Sequence, residues 1–172
     1  MSLYLYELAP AIDPAKAVDE LAARLGEAGG ELIEAQVTGG AGRIFAIAEF
    51  ESCRAPGLEP DGALGAVDGP HEVRLVGAEL AQLKAARPAA GYLVEWDIPA
   101  EIDMDTYLAR KKANAPKYAN VPEVDFLRTY VREDTAKCLC FYDAPDEAAV
   151  RRARDAVSTP VDRLHALTEP RT

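Results

Sequence analysis

Cysteine is scarce in this chain, and the few cysteines lack the spacing of a disulfide or redox motif. The 172 residues include three of them, Cys53, Cys138 and Cys140. An odd number of cysteines without a CxxC pair argues against a disulfide framework. We therefore expect three free thiols.

Long apolar runs and an excess of basic residues are also absent. The longest apolar runs fall well short of the 18 or so residues that span a bilayer, and no basic start followed by an apolar segment marks a secretory signal. The formal net charge is −10, from 19 basic and 29 acidic residues. Because nucleic acid and anionic lipid both need a cationic face, we expect neither as a partner. A cytoplasmic location is the default expectation.

The composition that remains, 49% hydrophobic and 28% charged, is typical of a globular protein with a real core. Asp13-Pro14 predicts the start of a helix, because aspartate often caps helices and proline is tolerated in the first turn. Gly29-Gly30 predicts the end of the same helix, because glycine often follows the last turn. Glycines and prolines make 51–70 mostly a predicted loop, with at most a poor helix. Helices are also predicted at 78–87 and from Asp103, and strands at 4–8, 32–37, 43–50, 73–76 and 92–96.

The two halves of the chain contain similar patterns in the same order. YLYELAPAID at 4–13 aligns with YLVEWDIPAEID at 92–103, and VTGGAGRIFAIAEF at 37–50 aligns with VREDTAKCLCFYDA at 131–144. Each half then predicts β-α-β-β-α-β. This is the ferredoxin-like pattern, in which two helices cover one face of a four-stranded antiparallel sheet.

Each predicted sheet has one face that no helix covers. We therefore predict an α+β protein of two tandem ferredoxin-like (βαββαβ) units, packed sheet to sheet as an intrachain α/β-barrel pseudo-dimer. The expected division is a degenerate first unit at 1–77, a connector helix at 78–90 and a second unit at 91–172. The alternative is two independent domains with polar outer faces. The sequence leaves open whether the pseudo-dimer is monomeric or forms a homodimer.

Four segments of the second half carry a family pattern. They are FLRTYV at 126–131, KCLCFYDAP at 137–145, EAAV at 147–150 and PVDR at 160–163. Over about residues 91–170 the chain resembles the small proteins grouped as domain of unknown function 4242, one of which binds nickel. The resemblance implies a ferredoxin-like fold that pairs sheet to sheet. It implies little chemistry, because the family has no settled activity.

The same resemblance raises nickel, or another divalent metal, as a cofactor. Nickel binding in the characterised relative relies on histidines, and the opening strand of the family domain often carries one after its acidic residue. Here Glu95 is followed by Trp96 and Asp97, and the chain has only His71 and His165. The chain therefore departs from the family pattern at the position where a metal ligand is expected.

Cys138 and Cys140 supply a second set of candidate metal ligands. Alternation places both on one side of a strand, about 7 Å apart. Two thiolates there would hold a soft metal only with a further ligand such as His165. The alternative is that both cysteines fill the core as buried thiols.

Polar residues at alternate strand positions predict a small-ligand site between the two sheets. The candidates in the second half are Glu95, Arg128, Tyr130 and His165, and Glu7 is the matching position of the first half. Either Glu95 or His165 would act as the proton acceptor. The alternative has Glu95 and Arg128 as a structural ion pair at a sheet edge, with Tyr130 and His165 near the rim.

Two other features of the second half have open interpretations. Arg110, Lys111, Lys112 and Lys117 form either an anion or partner site or a solvated helix face. The segment 114–123, NAPKYANVPE, is long for a helix-to-strand link. Such a link is either disordered or shaped for a role, such as covering one mouth of a cavity between the sheets.

Two classes of function follow from these patterns. The first is a noncatalytic protein that binds or senses a small ligand or a divalent metal. The second is a cofactor-free barrel enzyme of the oxygenase, isomerase or decarboxylase type, with its pocket between the sheets; this rests on fold analogy alone. A cavity lined by the four candidates with a strongly perturbed pKa would favour the enzyme.

Overall fold

A computed structural model describes residues 1–40, 42–51, 54–86 and 90–168 of the protein. The described residues form eight β-strands, four α-helices and one 3-10 helix. The strands are β1 Ser2–Ala9, β2 Glu31–Thr38, β3 Ile44–Phe50, β4 Ala66–Val76, β5 Tyr92–Asp97, β6 Asp125–Arg132, β7 Lys137–Asp143 and β8 Arg163–Thr168. The helices are α1 Pro14–Glu27, α2 Leu80–Ala86, α3 Met104–Asn114, the 3-10 helix Ala115–Asn120 and α4 Glu147–Ala156.

β1 pairs with β3 and β4, and β2 pairs with β3 and with the end of β8. β5 pairs with β7 and β8, and β6 pairs with β7. The registers described for these pairs are antiparallel. The chain divides into two compact units. Unit 1 is Met1–Val73, Ala81–Arg87 and Leu167–Thr172, and unit 2 is Arg74–Leu80 and Pro88–Ala166. The structure thus confirms a mixed α/β fold with antiparallel strands.

Unit 1 is built on β1 and β3, which pair along seven residues. Asp13 caps α1 as predicted, accepting a hydrogen bond from the Lys16 amide at 3.4 Å. Leu21 and Leu25, one helical turn apart, are both fully buried in a core that includes β1 and β3 side chains. Amphipathic spacing therefore places α1 on one face of this sheet.

The predicted loop at 51–70 is wrong at its end, because β4 begins at Ala66. Residues 54–65 hold no helix, so the second helix expected in the first half is absent from this described stretch. Asp61 instead organises a turn, accepting from the amides of Ala63 and Leu64 at 2.9 Å each. The many glycines and prolines favour such turns over a helix. Cys53, one of the three expected free thiols, lies outside the described residues.

Unit 2 follows the predicted order β5-α3-β6-β7-α4-β8. Asp103 and Asp146 start the two helices by accepting from the Thr106 and Ala149 amides, each at 2.8 Å. The segment 114–123 is mostly the 3-10 helix that continues α3, so the expected long link is largely regular structure. Helices α3 and α4 pack over a core formed by β5, β6 and β7.

The finer parts of the fold prediction stay predictions. They are the internal duplication, the packing of one sheet on the other, and the boundaries 1–77, 78–90 and 91–172. No described helix has both the length and the apolar character needed to cross a membrane.

Candidate functional site

The sheet of unit 2 separates its candidate residues into two sets. Along β5, Val94 and Trp96 lie in the core beneath the helices. Glu95 lies between them in the sequence and therefore points to the opposite face. The cysteines of β7 share the helical face with Val94 and Trp96. The predicted polar site and the two thiols are thus on different sides of one sheet.

Glu95 is the centre of a charged cluster on the face away from the helices. Its side chain is 1% exposed, and Lys137 Nζ donates to Oε1 at 2.9 Å. Arg163 Nε donates to Oε2 at 2.9 Å, and His165 Nε2 lies 2.7 Å from the same oxygen. Arg163 also forms an ion pair with Asp97. Burial raises the pKa of Glu95, but His165, Lys137 and Arg163 together lower it to about 2.

The structure brings Glu95 and His165 together but places Arg128 and Tyr130 elsewhere on the sheet. Both lie on β6, and β7 separates β6 from β5, a distance of about 10 Å. Arg128 lies over the Phe141 ring at 4.7 Å, and Tyr130 meets the same ring edge to face. Glu95 and His165 are thus in direct contact, Arg128 and Tyr130 share the Phe141 ring, and a single site formed by all four stays a prediction. Glu7, the fifth candidate, is buried on β1 of unit 1.

Cys138 and Cys140 are both 1% exposed, and their Sγ atoms are 4.0 Å apart. The thiols are closer than the predicted 7 Å because the side chains approach each other above the strand. His165 is on the other face of the sheet, so it does not join them as a metal ligand. The described residues contain no group of three His, Cys, Asp or Glu side chains that could hold a metal ion.

A cavity of about 180 Å³ lies on the helical face of unit 2, beside both cysteines. Its walls come from β5, β6, β7, α3, the 3-10 helix, α4 and the short turns that follow β4 and α4. They are mainly apolar or aromatic, with Trp96, Leu108 and Val157 among them. Sequence reasoning placed its pocket on the opposite face and missed this cavity.

Two buried polar groups of the cavity wall make no hydrogen bond of regular geometry among the described residues, although the Tyr107 hydroxyl lies close enough to the Cys138 thiol to lower the pKa of that thiol. They are the Tyr107 hydroxyl and Arg154 Nε. Tyr107 is 3% exposed and Arg154 is 2% exposed. The other Arg154 nitrogens are engaged, with Nη1 donating to Tyr142 Oη at 3.1 Å and Nη2 to the Pro160 carbonyl at 2.7 Å. Leaving a buried polar group unpaired costs about 1–3 kcal/mol. The cavity wall therefore has hydrogen-bonding groups available to a bound molecule.

An aromatic cluster forms one side of the cavity. The 3-10 helix carries Tyr118, whose ring stacks on Phe126 with centroids 5.3 Å apart. The Tyr118 and Tyr142 hydroxyls are 2.7 Å apart and share a hydrogen bond. The segment 114–123 thus helps to close a cavity within unit 2. Its predicted role at a cavity between the sheets stays a prediction.

Basic side chains of α3 surround the same cavity. Arg110, Lys111 and Lys112 all line it. Lys111 Nζ lies 4.5 Å above the Phe126 ring, and the Arg110 guanidinium lies 5.4 Å from the Trp96 ring. Cation–π contacts of this kind hold the charges against the aromatic wall. Arg110 and Lys111 therefore lie against the aromatic wall, and the anion or partner site stays a prediction.

The electrostatic surroundings distinguish the two thiols. The hydrogen bond with Cys138 lowers the pKa of Cys140 well below its ordinary value; burial opposes this, whereas Lys111, Arg154 and the Thr129 hydroxyl reinforce it. The hydrogen bond to Cys140 and burial raise the pKa of Cys138. Thr129 Oγ1 is 3.2 Å from Cys140 Sγ. These contacts favour the thiolate at Cys140.

Residues 92–167 match the family model "Nickel responsive protein SCO4226-like". The match runs from β5 into β8 and includes most of the residues that line the cavity, but it covers less than half of the chain. It agrees with the resemblance to a nickel-binding group of proteins. No curated protein matches this chain.

Solved structures show likeness in fold alone. TA0507, provisionally named a chlorite dismutase, is 12% identical, with a TM-score of 0.57 over 99% of this chain and 96% of that one. A microcompartments protein from Desulfitobacterium hafniense DCB is 15% identical over 99% of this chain and 95% of that one. Its TM-score of 0.33 is too low to support an argument.

Proposed function

We propose that the protein is a noncatalytic binding or sensing protein that holds a small, mainly apolar molecule in the cavity of unit 2. It would be a member of the domain of unknown function 4242 family. The observation that carries the proposal is the apolar cavity with two unpaired polar groups, the Tyr107 hydroxyl and Arg154 Nε. A family match to nickel-responsive proteins over residues 92–167 supports a sensing role.

The cavity limits the size and chemistry of the ligand. An apolar cavity of about 150 Å³ takes up a molecule the size of benzene. At about 180 Å³, this one fits a six-membered ring with one small substituent. The Tyr107 hydroxyl and Arg154 Nε both donate hydrogen bonds, so the ligand should carry an acceptor such as a carbonyl or carboxylate oxygen. The basic residues around the cavity favour the same acceptors.

The described residues do not fit a nickel site. Nickel is held well by imidazole, but His71 contacts Asp68 at 2.8 Å in unit 1 and His165 contacts Glu95 in unit 2. No third ligand joins either pair among the residues that the structure describes. We therefore propose a small organic ligand and derive no step through a metal.

The alternative of a cofactor-free enzyme gains no support from the Glu95 cluster. A general base needs a carboxylate or imidazole free to take a proton from the substrate. Both Glu95 oxygens accept from Lys137, Arg163 and His165 instead. The cluster is better explained as an ion-pair network that stabilises β5 and β8.

Binding of cyclohexanone and of cyclohexanecarboxylate tests the proposal. Each has a six-membered ring and one acceptor group, and titration followed by NMR chemical shifts locates the site. We expect saturable shifts for residues of α3, β7 and α4 around the cavity. If neither compound shifts these residues, or if the shifts centre on the Glu95 face, the proposed site is wrong.

Tyr107→Phe is expected to weaken cyclohexanone binding about 5- to 30-fold, the equivalent of one hydrogen bond of 1–2 kcal/mol. The same change should raise the free energy of unfolding of the ligand-free protein by about 1 kcal/mol, because it removes a buried unpaired hydroxyl. NMR titration and urea unfolding measure the two effects. Opposite signs for binding and stability are typical of a functional group and not of a packing residue.

Tyr130→Phe is the matched control for this experiment. Tyr130 is 1% exposed in the same unit but lies on the face of the sheet away from the cavity. We expect unchanged cyclohexanone affinity in this variant. If Tyr107→Phe leaves the affinity unchanged as well, its hydroxyl does not contact the ligand.

A further inference from the structure

The two cysteines of the cavity wall have chemistry that a purely noncovalent binding site does not require. Cys138 and Cys140 both line the cavity. The Thr129 hydroxyl donates to Cys140 Sγ, and the second thiol lies 4.0 Å away. Lys111 and Arg154 line the same cavity and supply positive charge. Hydrogen-bond donors and cations around one sulfur stabilise its thiolate, which is the nucleophilic form.

Two other roles for the thiol pair fit the structure poorly. Residues i and i+2 of a strand have Cα atoms about 7 Å apart, beyond the usual disulfide range of about 4.4–6.8 Å. A Cys138–Cys140 bridge would therefore distort β7. A soft metal would need further ligands, and the nearby charged groups that line the cavity, Lys111 and Arg154, are cations that repel it. Nucleophilic attack is the chemistry that remains.

We propose that Cys140 is the attachment site for a small α,β-unsaturated ketone or aldehyde bound in the unit 2 cavity. This inference rests on the proposed function, because the compound must first occupy the cavity. It adds a covalent step and a ligand class to that function. The unpaired Tyr107 hydroxyl and Arg154 Nε are the donors available to the carbonyl oxygen.

The step is an addition that needs neither oxidant nor reductant. Cys140 Sγ forms a bond to the β-carbon, and the π electrons of the C=C bond move to the carbonyl oxygen as an enolate. Hydrogen bonds from Tyr107 and Arg154 would stabilise that oxygen, as donors do for other oxyanions. The α-carbon then takes a proton from the Cys138 thiol, which recovers one from water. The net result is addition of S–H across the double bond.

The test uses 2-cyclohexen-1-one with the full chain carrying Cys53→Ser, so that Cys138 and Cys140 are the only thiols. Peptide mapping by mass spectrometry identifies the modified residue, and the rate is followed against concentration. We expect one adduct, on Cys140, with a rate that saturates. At neutral pH it should be on the order of tenfold faster than in the urea-unfolded chain, because more thiolate is present.

Two variants distinguish covalent attachment at Cys140 from noncovalent binding in the cavity and from an effect on folding. Cys140→Ser should abolish the adduct yet still bind cyclohexanone, which cannot react. Thr129→Val keeps the shape of the side chain but removes the hydroxyl that donates to Cys140. It should move the pH profile of the reaction to higher pH while the half-saturating concentration stays within about twofold.

Three results would overturn the inference. They are a rate no faster than in the unfolded chain, a rate that rises linearly without saturation, and modification of Cys138 in preference to Cys140. Saturable cyclohexanone binding without an adduct on Cys140 would overturn only the covalent step. Loss of binding by both compounds would overturn the proposed function itself.

Discussion

Replacing Glu95 with alanine is expected to lower the free energy of unfolding by about 3–5 kcal/mol. The Glu95 side chain is 1% exposed, and its two oxygens accept from Lys137, Arg163 and His165. Removing the shared carboxylate leaves positive groups close together in a poorly solvated site. Urea unfolding of both proteins, with the slope compared, measures the loss.

Asp97→Ala is the matched control for this change. Asp97 lies two residues along β5 and pairs with the same Arg163, but its side chain is 55% exposed. Exposed ion pairs contribute at most about 1 kcal/mol, so the loss should be several times smaller than for Glu95. Equal losses would show that the Glu95 carboxylate is effectively solvated.

The same carboxylate should make stability depend on pH at the acidic end. In the folded protein the pKa of Glu95 is lowered from its ordinary 4.5 to about 2. The stabilisation is therefore complete above about pH 5 and is lost as the pH falls towards 2, because the unfolded chain takes up the proton first. The two pKa values correspond to about 3 kcal/mol. Glu95→Gln should flatten this part of the profile; an unchanged profile would assign it to other carboxylates.

The sequence predicted the strands and helices of unit 2 better than it predicted the site. Caps such as Asp103 and alternating strand residues are local signals, and they placed Glu95 and His165 on strands correctly. Lys137 and Arg163 were missed as partners of Glu95 because their contact depends on register. Arg163 lies directly opposite Glu95 in the β5–β8 pair. Register follows from the turns and the packing of the whole sheet, which a local pattern does not contain.

The cavity was missed for a different reason. Arg154 lies on α4 in a run of basic residues with Arg151 and Arg152, and such a run is typical of a solvated helix face. The signal was its spacing: Arg154 follows Val150 by four residues and adjoins Ala153, both fully buried. That stripe places Arg154 beside the core. Arginine is mostly found exposed in proteins. The residue type therefore predicts an exposed Arg154, although its helical spacing predicts a buried one.

Replacing Arg154 with methionine is the second change expected to have a large effect. It removes the hydrogen bonds to Tyr142 Oη and to the Pro160 carbonyl while keeping an apolar stem of similar length. We expect a loss of about 2–4 kcal/mol in the free energy of unfolding, because the buried Tyr142 hydroxyl and the Pro160 carbonyl both lose a charged donor. Loss of the positive charge should also raise the pKa of Cys140, since Arg154 helps to lower it.

Arg152→Met on the same helix is the control, because the Arg152 side chain is 56% exposed and pairs with Glu123 at the surface. Arg152→Met should lower the free energy of unfolding by only a small fraction of the loss expected for Arg154→Met. It should leave the pKa of Cys140 unchanged. Urea unfolding and the ultraviolet absorbance of the thiolate against pH report the two effects separately. A destabilised Arg154→Met protein with an unaltered thiolate titration would mean that the guanidinium only supports α4. A loss of stability together with a raised pKa of Cys140 would show that the charge of Arg154 supports both the structure of the cavity and the reactivity of its thiol.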